Sequence, residues 1–268
     1  MSNKYRSKGF IIISTLIAAI LLVLATLVGF YIYGIRYFVT EFSDGSYIKF
    51  FGKVDDQGNP SSGRLYYSDG SEAKIDTELG TIEYTNGSVY RGSLKDLQCS
   101  GQGTMSYANG DRYEGSFKED KPDGKGKYTY SNGDVYDGEF KAGKKSGNGV
   151  YIRAADGSKY TGEFSDDCRN GRGTYEWADG SSYTGDFVND VKHGKGTYTW
   201  GDSGDTYTGD FKNDVRTGKG TYYFAESGDS YTGDFVNNMM TGYGTYTWAS
   251  GRIYEGYFEN GKIVRVAG

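Results

Sequence analysis

One short pattern, Tyr-x-Gly-x-Phe, recurs along most of this chain and constrains its fold more than any other feature. The copies are 23 or 24 residues apart, a spacing typical of internal structural repeats. A second pattern, Gly-x-Gly-x-aromatic, follows seven residues after each Phe position except the last. A chain built this way folds as a row of like units. The eight copies begin at Tyr90, Tyr113, Tyr136, Tyr160, Tyr183, Tyr207, Tyr231 and Tyr254.

Each repeat contains two stretches in which residue character alternates with a period of two. Turn pairs such as Asn109-Gly110 and Asp179-Gly180 bound them, which predicts an antiparallel hairpin in each repeat. In the copy at Tyr183, we expect Tyr183, Gly185 and Phe187 to share one face. The residues expected on the same face of the next strand are Gly194, Gly196, Tyr198 and Trp200.

Glycine and tyrosine are both abundant here, with 43 and 27 copies respectively. A large ring needs space, and a residue without a Cβ on the neighbouring strand provides it. We therefore expect rings to lie over glycines. A single hairpin is marginal in water, so the hairpins must stack. The sequence predicts an all-β, elongated, curved solenoid of stacked hairpins, in which the extra residues of 154–157, 201–204 and 225–228 lie in turns.

The segment from Phe10 to Tyr33 is uncharged and mostly aliphatic, and it is long enough to cross a bilayer as a helix. A cleaved signal peptide has a shorter apolar stretch, and a buried core helix would not be apolar on every side, so we expect an uncleaved transmembrane helix. Three basic residues within the first eight place the amino terminus in the cytoplasm and the repeats on the non-cytoplasmic side. From Tyr37 onward, 26 basic and 35 acidic residues argue against binding to nucleic acid.

The expected organisation is therefore a cytoplasmic tail at 1–8, a transmembrane helix at 9–35, a segment of degenerate repeats at 36–89 and eight hairpin repeats at 90–268. The degenerate segment is interpreted as a cap on the repeats. Its likeliest flexible loop runs from 54 to 63.

These repeats resemble the MORN (membrane occupation and recognition nexus) motif, which combines Tyr-x-Gly-x-Phe/Trp, Gly-x-Gly-x-Tyr and an Asp/Asn-Gly turn. Local departures are Leu94, Met105 and Arg153 at usually aromatic or phenylalanine positions. The resemblance implies an elongated all-β solenoid and roles in scaffolding, self-association and attachment near membranes. Many family members carry an enzyme on the same chain, whereas here only residues 262–268 follow the last copy, so we expect no catalytic domain.

Residue chemistry gives no sign of catalysis or of a cofactor. The single histidine, His193, is expected in a solvated hairpin loop, and one imidazole cannot build a histidine-based metal cluster. Cys99 and Cys168 are expected in equivalent loops three repeats apart, too far from each other to form a disulfide.

The leading hypothesis is a non-enzymatic, membrane-anchored scaffold that presents an extended surface to another protein or to a second copy. The alternative is a cell-wall or carbohydrate-binding module that stacks aromatic rings on sugars. A third interpretation is that the same rings simply form the buried core. The candidate interaction residues are Tyr175, Trp177, Tyr198, Trp200, Tyr222, Tyr246 and Trp248.

Overall fold

The structure is a computed structural model that describes the backbone of residues 3–264 and the side chains of residues 15–264. The ends of the predicted tail 1–8 and of the predicted repeat region, residues 1–2 and 265–268, lie outside the described residues. The chain forms two compact units, Met1–Ala108 and Asn109–Gly268.

The first unit begins with one long helix and continues as an antiparallel sheet. Helix α1 spans Asn3–Ile32, so it begins before the predicted span 9–35, while Ile35 already belongs to the first strand. The strands are β1 Ile35–Glu41, β2 Tyr47–Val54, β3 Pro60–Tyr67, β4 Glu72–Asp76, β5 Thr81–Tyr84, β6 Val89–Lys95 and β7 Gln98–Ser106. Each strand pairs with the next along the chain.

The apolar part of α1, Thr15–Ile32, is long and hydrophobic enough to cross a membrane, and none of its residues is buried. A signal sequence near the amino terminus can meet the same criterion of length and hydropathy, so the structure establishes an apolar amino-terminal helix. Phe30, near the end of this helix, packs edge-on against Phe51 of β2, with 5.7 Å between ring centroids.

The segment expected as a flexible loop, 54–63, is instead a hairpin. Only 55–59 forms the turn, and the Asp55 carboxylate holds it by accepting hydrogen bonds from the backbone nitrogens of Gln57 and Asn59. Pro60 begins β3, a position where proline's missing N–H does not interrupt a sheet. The core beside this hairpin is aliphatic as well as aromatic, with Phe50, Leu65 and Ile82 fully buried.

The second unit is a continuous antiparallel meander in which every strand pairs with its neighbours along the chain. Across its described residues the first and last strands do not pair, so the sheet is open. The all-β fold with an amino-terminal helix is therefore confirmed. The strands are β8 Arg112–Lys118, β9 Lys121–Thr129, β10 Val135–Lys141, β11 Lys144–Ile152, β12 Lys159–Ser165, β13 Cys168–Glu176, β14 Ser182–Val188, β15 Val191–Thr199, β16 Thr206–Lys212, β17 Val215–Phe224, β18 Asp229–Val236, β19 Met239–Thr247, β20 Ile253–Glu259 and β21 Lys262–Ile263.

Two kinds of turn alternate along this meander. The Asx-Gly pairs lie in short loops, as expected: the backbone nitrogen of Gly180 donates to the carbonyl of Trp177 at 3.1 Å. The other turns contain two residues, such as Asn189 and Asp190, with φ of 47° and 70°. Positive φ at both positions is the type I′ geometry that matches strand twist, and Asn and Asp tolerate it well. Extra residues fall in the first kind of turn, where the nitrogen of Gly204 still reaches the carbonyl of Trp200 at 2.8 Å.

A β-bulge interrupts each hairpin of the regular repeats and corrects one expectation. Between β14 and β15, Gly185 pairs with Gly196, but the next residue, Asp186, pairs with His193. Gly194 lies in the bulge with φ of +60°, and a Cβ there would meet the Asp186 carboxylate at 2.5 Å. Gly194 therefore does not share the aromatic face with Gly196, because the bulge breaks the alternation on which that expectation rested.

Candidate interaction surface

Tyrosine and phenylalanine of each Tyr-x-Gly-x-Phe pattern form the core of the second unit. Tyr183 is 0% exposed and Phe187 is 3% exposed. Their rings meet edge to face with centroids 5.1 Å apart, and Tyr183 makes the same contact, also at 5.1 Å, with Phe211 of the next repeat. Such pairs add about 0.5–1.5 kcal/mol beyond the burial of their area. We call this series, Tyr113 to Tyr231 with Phe117 to Phe258 in the repeat positions, the buried ladder.

Each ring of the ladder lies over two glycines, as expected from the sequence. A Cβ on Gly196 would stand 2.4 Å from the Tyr183 ring, and one on Gly185 would stand 2.5 Å from its hydroxyl oxygen. The Tyr183 hydroxyl donates to the carbonyl of Asp186 at 3.0 Å, so its polar end is satisfied inside the core. Burial raises the pKa of the equivalent Tyr207 to about 12, which keeps it a neutral donor.

The seven candidate interaction residues lie beside this ladder on the same face, and all seven are half-buried. Tyr198 pairs with Tyr183 across two strands, which places the two series next to each other. The fully buried core of the second unit is therefore the ladder, and the seven rings lie beside it.

The half-buried rings contact one another from repeat to repeat. Tyr198 lies 4.6 Å from Trp200, and Trp200 lies 5.3 Å from Tyr222, between ring centroids. Phe224, which the sequence analysis missed, joins Tyr222 at 4.6 Å and Tyr246 at 6.0 Å. We call the seven residues and Phe224 the aromatic strip.

Hydrogen bonds hold two tyrosines of the strip to an aspartate at the beginning of the preceding strand. Tyr222 donates to Oδ2 of Asp205 at 2.7 Å, and Tyr246 donates to Oδ2 of Asp229 at the same distance. The bond from Tyr246 lowers the pKa of the Asp229 carboxyl. The strip is thus a pre-arranged surface.

Basic side chains lie over the strip, and the sequence analysis missed them. Lys192 Nζ is 5.3 Å from the centroid of Trp177, and the Arg216 guanidinium carbon is 5.1 Å from that of Trp200. These distances are those of cation–π contacts. Lys145, Arg169, Lys192 and Arg216 hold equivalent positions, two residues before the Gly-x-Gly pattern of four successive repeats. We call these four residues the cation row.

The opposite face of the sheet is mostly polar, and pairs across the strands satisfy several of its polar groups. Thr197 and Thr208 share a hydrogen bond of 2.9 Å, and Lys219 pairs with Asp234 at 2.7 Å. These polar groups are exposed, but they already have hydrogen-bond or ion-pair partners on the neighbouring strand.

The structure also corrects the placement of the reactive residues. His193 lies in β15 rather than in a loop, and its Nδ1 is buried without a hydrogen-bond partner among the described residues. Cys99 and Cys168 do not form a disulfide with each other, as expected, but both lie in strands rather than loops. They are also offset by one position, since Cys99 is the counterpart of Arg169. Within residues 15–264 no three His, Cys, Asp or Glu side chains come together as a metal site.

The geometry of the strip bears on the carbohydrate alternative. Stacking on a sugar needs an accessible ring face, but Lys192, Arg216 and Arg252 lie over Trp177, Trp200 and Trp248 respectively. Neighbouring rings are also tilted, by 58° for Tyr198 and Trp200. The covered ring faces and the tilts differ from the flat, open row of rings that stacking on a glycan requires.

Among solved structures, similarity is weak. The TCP domain of Drosophila melanogaster SAS-4 (dCPAP), in complex with a proline-rich motif of Ana2 (dSTIL), is 15% identical with a TM-score of 0.32, covering 74% of this chain and 90% of that one. The TCP10c domain of Drosophila melanogaster Sas-4 is 11% identical with a TM-score of 0.29, over 84% and 100% of the two chains. Virginiamycin B lyase from Staphylococcus aureus is 9% identical with a TM-score of 0.18, over 85% of each chain. Scores this low do not establish a shared fold.

No curated protein matches this sequence. The MORN repeat model, in contrast, matches seven segments: 90–112, 113–135, 136–157, 160–182, 183–204, 207–228 and 231–251. The eighth copy indicated at Tyr254 lies outside these matches, although β20 continues the meander there. The matched segments together make up more than half of the chain, which therefore belongs to the MORN repeat family.

Proposed function

We propose that this protein is a non-enzymatic, membrane-anchored scaffold that binds a partner protein along its aromatic strip. One observation carries the proposal: a row of half-buried rings and cations runs beside a separate ladder that already supplies the core. Aromatic residues and arginine are the side chains most enriched at the energetic centres of protein interfaces. The MORN repeats fit the scaffold role.

Site-specific photo-crosslinking tests the strip directly. A benzophenone amino acid is placed at Trp200 in the strip, or at Thr208 on the polar face as the matched control, in full-length protein in its native membranes. We expect light-dependent protein adducts from position 200 and none from position 208. Adducts from position 208 alone, or from neither position, would contradict the proposal.

The anchor belongs to the same proposal, in which residues 9–35 span the membrane, 36–89 cap the repeats and 90–268 form the interaction domain. Tyr31 and Tyr33 at the end of α1 are 72% and 75% exposed, as suits rings at a membrane interface. Alkaline carbonate extraction should leave the full-length protein in the membrane fraction and release a variant lacking 9–35. Release of both would rule out the anchor.

The proposed orientation puts the repeats on the non-cytoplasmic side. Cys99 is 0% exposed and cannot report on this, whereas Cys168 is partly exposed. Burial raises the pKa of the Cys168 thiol, and Asp190 adds to the shift, so labelling should run above neutral pH. Labelling of intact cells by a membrane-impermeant maleimide, abolished in Cys168→Ser, supports the orientation. Labelling only after lysis would reverse it.

A further inference from the structure

The last member of the cation row, Arg216, contacts a neutral turn residue, whereas Arg169 and Lys192 contact a charged one. At each of the four positions, the second residue of the two-residue turn in the following hairpin accepts a hydrogen bond from the backbone nitrogen of the basic residue. Arg169 meets Asp190, and Lys192 meets Asp214. Arg216 meets Asn238. The chain thus replaces a carboxylate by a neutral amide at one position of an otherwise repeated arrangement.

Arg169 and Arg216 make the same pair of hydrogen bonds to their turn residues. Arg169 Nε donates to Oδ1 of Asp190 at 3.0 Å, and its second guanidinium nitrogen donates to the Asp190 carbonyl at 2.7 Å. Arg216 makes the corresponding bonds to Oδ1 and to the carbonyl of Asn238, at 3.4 and 2.9 Å. Arg216 is therefore positioned as well as Arg169, but it lacks the negative charge.

Arg216 is also surrounded by rings. Its guanidinium carbon lies 5.1 Å from the Trp200 centroid, 5.5 Å from Tyr207 and 5.4 Å from Tyr222. No carboxylate of the described residues forms an ion pair with it. Burial lowers the pKa of Arg216, and only Tyr222 and Tyr207 oppose this shift. Because a guanidinium stays charged in proteins, the charge remains partly desolvated and uncompensated.

We infer that Arg216 receives a carboxylate of the partner, from an aspartate or glutamate in a peptide segment that lies along the aromatic strip. This inference rests on the proposed function. The guanidinium pairs well with a carboxylate, and the equivalent Arg169 is neutralised by one within the chain. Trp200 and Tyr222 would pack against the residues that flank the acidic one.

Net charge favours a protein segment over other carriers of negative charge. From Tyr37 onward the chain has 35 acidic and 26 basic residues. A nucleic acid or an anionic membrane presents dense negative charge and would be repelled by such a surface. A segment with one or two carboxylates is neutralised locally at Arg216, so the surrounding charge opposes it far less.

A random dodecapeptide display library, selected on the full-length protein in detergent, is the probe. We expect the enriched peptides to share one acidic position between aromatic or apolar residues. The best peptide is then made with fluorescein, together with its counterpart in which glutamine or asparagine replaces the acidic residue. Fluorescence anisotropy should show about tenfold weaker binding of the neutral peptide, the usual scale of a charge-assisted hydrogen bond.

Three variants connect this preference to Arg216. Asn238→Asp keeps Arg216 and supplies the missing carboxylate from within, so the acidic and neutral peptides should bind it alike. Arg216→Gln should also lose the preference, and Arg216→Lys should retain part of it, since Lys192 holds the equivalent position. Asn238 is exposed, so Asn238→Asp should melt no lower than the wild type, which separates lost preference from unfolding.

The outcomes separate this inference from the proposed function. Peptides that bind the wild type but not Trp200→Ser, with no acidic preference, would overturn the role of Arg216 and leave the strip as a binding surface. If no peptide depends on Trp200, both fail. Binding of phosphatidylserine vesicles that is lost in Arg216→Gln, without acidic peptides in the selection, would overturn the inference in favour of a membrane surface.

Discussion

The buried ladder and the aromatic strip use the same kinds of residue on the same face of one sheet, yet they differ in burial. Rings of the ladder lie over glycines and are covered on all sides, as Tyr207 and Phe211 show at 0% and 4% exposure. Rings of the strip are only half-buried, and the basic side chains of the cation row contact rings of both series. The comparison teaches that, within one repeat, rings that stabilise the fold and rings proposed to bind a partner can lie next to each other.

The largest expected contrast is between matched truncations in the two series. Phe211→Ala should lower the free energy of unfolding by about 4 kcal/mol, because it removes a fully buried ring that contacts two tyrosines. Trp200→Ala should cost about half as much, since the indole is only half-buried. Urea denaturation of both variants measures this, and equal costs would erase the distinction between ladder and strip.

The next contrast concerns the glycines that lie beneath the ladder rings. Gly185→Val would place a side chain 2.5 Å from the Tyr183 hydroxyl oxygen and 2.6 Å from the Cα of Gly196. We expect it to lower stability by about 3 kcal/mol, in the range of overpacked cores. Thr184→Val, on the exposed face, should change it by no more than about 0.5 kcal/mol. Similar melting temperatures for the two variants would contradict the assignment of Gly185 to the buried face and of Thr184 to the exposed face.

A smaller effect concerns the bonds that hold half-buried tyrosines to the turns. Tyr151 donates to Oδ2 of Asp134 at 2.6 Å, and this bond lowers the pKa of Asp134. Tyr151→Phe should cost about 1 kcal/mol at pH 7. An unfolded aspartate has a pKa of about 3.9, so the contribution is complete above about pH 4 and is lost as pH falls through the lower folded pKa.

Urea midpoints measured from pH 7 to pH 3 check this dependence. The wild type and Tyr151→Phe should differ at neutral pH and converge in acid. Tyr223→Phe, on an exposed ring, is the control and should match the wild type throughout. A difference between the wild type and Tyr151→Phe that stays constant with pH would contradict the assignment of Asp134.

The smallest effect is expected at the cation-row position, because another repeat already has a neutral residue there. Met240 holds the position equivalent to Lys192 and Arg216, opposite Phe235. Lys192→Met should therefore change stability by no more than about 1 kcal/mol, because Asp214 is exposed and remains solvated. Thermal unfolding of Lys192→Met beside Lys192→Glu measures this. A loss of stability as large as that of Phe211→Ala would show that the cation row is needed for folding rather than for binding.

The sequence predicted the hairpins, the register of rings over glycines and the placement of extra residues in turns, because these follow from a period of two and from steric size. It did not predict the position of Gly194, since a bulge interrupts the alternation, nor the strand position of His193. The two classes of aromatic ring look alike as letters, and only packing separates Tyr183 from Tyr198.

The cation row could have been found from the sequence. Lys145, Arg169, Lys192 and Arg216 recur two residues before the Gly-x-Gly pattern in four successive repeats, in phase with the aromatic face. Their recurrence on that face was the available signal. The partner of Arg216 could not have been found in this way, because the turn residue Asn238 is 22 positions further along the chain and meets it only through the fold.

Hydroxyl-radical footprinting of the full-length protein, in intact native membranes and after purification in detergent, tests the central division most directly. The account predicts that Trp177 and Trp200 are oxidised in the purified protein and protected in the native membranes, where a partner covers them. Tyr183 and Tyr207 should stay unreactive in both settings, and Tyr223 on the opposite face should react in both. Equal oxidation of Trp177 and Trp200 in the two settings would contradict the account.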